Sequence, residues 1–122
     1  TAFMRDLPQV AALVERAALQ LDDAERHARE IADGDIGPEA LERLERARHG
    51  ATLLATVDLA RACLYADLVD DGAAAKDRAR ALASRLPEPR LRSIVAFAAM
   101  TGAVIGELGR TARTISAALR AR

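Results

Sequence analysis

The chain has 122 residues and a mass of 13.0 kDa, enough for one domain spanning residues 1–122 and too short for two. Its 18 basic and 18 acidic residues cancel to a formal net charge of +0, so no long-range field draws it to nucleic acid, an anionic membrane or an acidic partner. The single cysteine, Cys63, excludes an intramolecular disulfide and fits a reducing, cytoplasmic compartment.

Hydrophobic residues make up 51% of the chain, but alanine dominates them and the aromatics are only Phe3, Tyr65 and Phe97. An alanine-rich core packs densely only where helix backbones come close together. The basic residues are arginines except for Lys76, a usage that matches high-GC bacterial genomes. Thr1 is expected to follow a removed initiator Met. No secretory signal is expected, because the start carries no cationic segment backed by an apolar stretch.

In chain order, Asp6-Leu7-Pro8 places a proline near a first helical turn. Val10, Val14, Ala17, Leu21, Ala24, Ala28 and Ile31 then alternate spacings of four and three, a heptad seam. Asp33-Gly34-Asp35 ends that helix, and Gly37-Pro38-Glu39 opens the next with a proline and an acid in its first turn. The second helix is rich in Glu and Arg up to His49 and nearly apolar from Ala51 to Val69. Asp71-Gly72 breaks it, a short helix follows, and Pro87-Glu88-Pro89 stops that one. No segment alternates with period two. The predicted fold is an all-α antiparallel four-helix bundle with helices at about 8–33, 38–70, 73–86 and 90–121.

Ser93 to Gly106 contains no charge. It falls short of the ~20 apolar residues that span a bilayer, so a buried helix and no membrane span is expected. A helix apolar on every side must be covered on every side. Four short helices cannot cover both this segment and Ala51–Val69, so a homodimer or higher oligomer is predicted. Gly102 and Gly106, with Ala98 one step earlier, mark a close helix crossing and are the candidate interface residues. The same spacing also serves a crossing within the chain. No strand precedes these glycines, so they form no phosphate-binding loop and no cofactor is expected.

Several polar groups invite chemistry. Asp23 and His27 are four apart, as are Glu45 and His49, but the seam turns Glu45 and His49 outward, so solvated pairs are expected and no metal site. Asp58, Arg61 and Tyr65, at spacings of three and four, are expected to be at least half buried and hydrogen-bonded to one another. They are the candidate ligand-binding residues for a small polar molecule. Cys63 has no activating His or Lys beside it in sequence and reads as a core residue. The arginines at 110, 113, 120 and 122 have no interleaved aromatics, so nucleic-acid binding is not expected.

Shifting the sequence by 40 residues lays Leu54 on Ile94, Val57 on Phe97, Ala62 on Gly102, Leu64 on Val104 and Leu68 on Leu108. With Tyr65, Leu68, Ala74 and Ala81, and again Gly102, Leu108, Gly109 and Ala121, residues 51–121 resemble tetratricopeptide-like helical hairpins. That resemblance implies a helical array that grips a peptide or protein. Leu13-Val14-x-Arg16, Leu21-Asp22, Glu25 and His49-Gly50-Ala51-Thr52 resemble, over residues 13–52, the dimerisation hairpin of actinobacterial sensor kinases. That second resemblance implies a phosphoacceptor role for His49, with Arg46 and Arg48 near the phosphoryl oxygens. The favoured expectation is a non-enzymatic interaction or adaptor module that self-associates and binds a protein partner.

Overall fold

The structure, a computed structural model, describes residues 9–122; the helix start expected near Pro8 lies outside them. Four α-helices and one short 3-10 turn account for most of the described residues, and no strand occurs among them. The fold is all-α.

Helix α1 runs Val10–Asp33 and buries Val10, Leu13, Val14, Ala17, Leu21 and Ala24. The predicted seam is therefore buried as far as Ala24, while Ala28 and Ile31 are only half-buried. Gly34 ends the helix in the left-handed conformation at φ 76°, its N–H donating to the Ile31 carbonyl, a geometry open to glycine at little steric cost.

Helix α2 runs Pro38–Tyr65, with proline in its first turn and Glu39 beside it. Its buried residues are Thr52, Ala55, Thr56, Asp58, Leu59, Ala62 and Cys63, all in the second half. The sequence predicts this helix to reach residue 70, but the backbone tightens into a 3-10 turn over Ala66–Leu68. The physical reason is Gly72, where a Cβ would overlap the Ala66 carbonyl, so the chain doubles back there with backbone against backbone.

Helix α3 runs Gly72–Ala83, shorter than the predicted 73–86. The Ser84 hydroxyl donates to the Ala81 carbonyl at 2.6 Å, and Pro87 follows. Helix α4 runs Pro89–Arg120.

Contacts set the directions. Arg16 of α1 meets Asp58 of α2, whereas Leu21, Ala24 and Ala28 face Arg48 and Thr52, so these helices run oppositely. α3 returns alongside α1, with Arg78 on Glu15 and Arg85 on Asp22 and Glu25. α4 then runs in the same direction as α2, with Gly102 against Cys63 and Leu64, and Gly106 against Asp67. Residues 38 or 39 apart in sequence thus sit side by side on the two helices. α1 and α4 hardly meet. The largest fully buried side chains are Leu21, Leu59, Leu86, Val14, Val95 and Cys63, with alanines filling the rest of the core.

Glycine replacements separate packing from helix propensity. A Cβ at Gly102 would overlap the Cys63 carbonyl and come within 2.9 Å of the Leu64 carbonyl oxygen, whereas at Gly50 it meets nothing within 4 Å. In urea denaturation, Gly50→Ala is expected to stabilise by about 0.5–1 kcal/mol. Gly102→Ala is expected to destabilise by about 1–3 kcal/mol, because the clash outweighs the same propensity gain.

Candidate interaction surface

Asp58, Arg61 and Tyr65 do not form the cluster expected of them. Asp58 is only 3% exposed and turns toward α1, where Arg16 grips both carboxylate oxygens: Nε donates to Oδ2 at 2.8 Å and Nη2 to Oδ1 at 2.7 Å. The fork-shaped pair uses the planar guanidinium fully. The hydrogen bonds and charge of Asp58 raise the Arg16 pKa above its ordinary value. Arg61 is exposed, and Tyr65 is half-buried against the core. Sequence reading missed Arg16, yet a signal was present, because no acid lies three or four residues from it on α1.

His49 is exposed. Of its arginine neighbours, Arg46 is tied to Glu42 at 2.8 Å. Arg48 is half-buried, with its Nε buried and unpartnered, and it lines a small cleft of about 80 Å³ with Leu21, Ala24, Thr52 and Arg85. Arg85 is already held there by Glu25 and by Asp22 at 2.8 Å. These acids raise the Arg85 pKa, mainly through hydrogen bonds from its guanidinium. Cys63 is buried, and burial pushes its thiol pKa up.

Gly102 is buried against α2 and Gly106 against the 3-10 turn that follows it in the same chain, with Ala98 half-buried beside them. The close crossing is thus internal, and Gly102 and Gly106 offer no surface for a second copy. The opposite side of α4 does. Ser93–Gly106, read from sequence as needing cover all round, is covered on one side only: Val95, Ala99 and Gly102 are buried, while Phe97 is 69% and Met100 66% exposed. Ile94, Val104, Ile105 and Leu108 continue this face.

α2 adds a second stripe. Leu53, Leu54 and Val57 are exposed and Leu64 half-buried, level with Ile94, Phe97 and Val104 through the α2/α4 register. Between the stripes lie half-buried Ala60, Ala98 and Thr101, so the surface is a shallow groove with small residues on its floor. Leu53, Leu54, Val57, Ile94, Phe97, Met100, Val104, Ile105 and Leu108 are all exposed on it, and apolar side chains gathered in this way mark an interaction surface. By length and composition, α4 is also the one helix among the described residues able to cross a membrane.

Comparison with protein-family models, with curated proteins and with solved structures finds no match for this chain.

Two outcomes test the side-chain assignments. Arg16→Ala, which strips the partner from a buried carboxylate, is expected to lower the urea midpoint several-fold more than Arg61→Ala or His49→Ala. Those two are expected to stay within about 0.5 kcal/mol of the parent. The Cys63 thiol is expected to resist a thiol reagent at pH 8 in the folded chain and to react rapidly in urea. Because its folded pKa lies above the unfolded value of about 8.5, its influence on stability is absent at neutral pH. Stability is then lost as pH rises from the unfolded toward the folded pKa, an effect that Cys63→Ala should remove.

Proposed function

We propose that this protein is a non-enzymatic helical interaction module that self-associates, and presents itself to a protein partner, through the outer face of α2 and α4. The observation that carries this reading is the contiguous apolar groove, because a soluble chain that leaves such an area in water invites association. A bilayer is a poorer occupant. α2 supplies part of the face, and Leu91, Val95 and Ala99 on the other side of α4 are core residues, so threading α4 through a membrane would open the core.

The parallel α2/α4 register supports reading residues 51–121 as tetratricopeptide-like hairpins, with α2 and α4 as equivalent helices. A phosphotransfer role for His49 finds less support, since Arg46 and Arg48 are engaged or turned elsewhere.

Light scattering across a concentration series tests self-association. A dimer or larger species is expected, and Phe97→Glu should shift it to monomer with helical content retained. A monomer at millimolar concentration would refute self-association, and uptake by neutral lipid vesicles would assign the face to a bilayer.

A further inference from the structure

Building on the self-association reading, we propose that residues 110–120, the end of α4, form a docking arm. The arm seats in the α2/α4 groove of a second copy, and reciprocal exchange of arms makes an antiparallel, two-fold dimer.

Among the described residues, nothing in the same chain covers the arm. Gly106 already lies beside Asp67, just past the end of α2, and α4 continues to Arg120. Every residue from Arg110 onward is exposed. Its apolar side chains Ile115 and Leu119 are left in water, so it calls for cover.

Its surface is patterned for a helical neighbour. Leu108, Thr111, Ile115 and Ala118 extend the spacing of Ile94, Phe97, Thr101 and Val104 into one seven-residue seam. Ile115 and Leu119 are more than half exposed. Arg110, Arg113 and Arg120 fall off the seam, on the side of α4 that faces α2 further up.

The groove is shaped for such a helix, with Leu53 and Val57 as one wall, Phe97 and Val104 as the other, and Ala60, Ala98 and Thr101 between. The arm cannot fill the groove of its own chain, because α4 is unbroken through Gly109. Another molecule must supply it.

The spacing also selects a direction. In an antiparallel pairing about the middle of the seam, Phe97 meets Ile115 of the partner subunit, Thr101 meets Thr111 of the partner subunit, and Val104 meets Leu108 of the partner subunit. Leu119 of the partner subunit then falls level with Leu53 and Leu54. No charged residue enters the seam, and Arg61 stands at its rim. A parallel pairing would set arm on arm and leave the wider groove without a helix to fill it. The exchange is self-complementary, so it closes at two copies and buries both faces.

The test uses the full chain. Ile115→Glu with Leu119→Glu is expected to weaken the dimer at least about tenfold, whereas Leu19→Glu, on exposed α1 surface, should leave it unchanged. Mixing a Thr101→Cys variant with a Thr111→Cys variant under mild oxidation should give disulfides between the two proteins, with Cys63 silent because it is buried. Thr111→Cys cross-linking only to itself would overturn the antiparallel arrangement. A dimer indifferent to the arm substitutions would overturn the docking role and leave self-association standing, whereas a parent chain monomeric at every concentration would remove both.

Discussion

The close approach of α4 to α2 organises this molecule. Gly102 and Gly106 bring the α4 backbone onto the backbone and Cβ atoms of Cys63, Leu64 and Asp67, a spacing no larger residue permits. That contact substitutes for side-chain volume in a core made largely of alanine. It also fixes α2 and α4 side by side in one direction, so residues 38 or 39 apart in sequence lie level with one another. Two apolar stripes that would be separate on isolated helices become one groove.

Charge holds the other layer. α1 and α3 are joined by Arg78 to Glu15 and by Arg85 to Asp22 and Glu25. α3 and α4 are clasped by Lys76, which pairs with Asp67 and donates to the Ala99 carbonyl at 3.0 Å. The exposed Arg78–Glu15 pair adds little stability, whereas Lys76 and Asp67 are largely shielded from water; the main effect of all these pairs is to set register between helices with few large side chains. The buried Asp58 is different in kind, because its charge requires Arg16. Polar contacts thus settle where the helices sit, and the apolar surface left over faces water on α2 and α4.

The helices themselves were readable because their punctuation is local. Gly34, Gly37-Pro38 and Pro87-Glu88-Pro89 terminate or open helices through backbone chemistry that needs no tertiary context. The early end of α2 was not readable, since it depends on Gly72 meeting Ala66 across a turn. Asp58 was correctly expected to be buried, but its partner lies 42 residues away on another helix, and spacing within one helix points only to Arg61. The apolar excess of Ser93–Gly106 was visible in composition. Which side would be covered was not, because G-x-x-x-G serves an internal crossing and an intermolecular one equally well.

Hydroxyl-radical footprinting over a concentration series tests the central claim most directly, since it reads side-chain exposure on both faces in one sample. Phe97 and Met100 should label strongly in dilute protein and become protected as concentration rises, while Leu19, equally exposed on α1, should label at a constant rate. Constant labelling of all three residues up to millimolar protein, or protection of Leu19 in step with Phe97, would contradict association through the α2/α4 face.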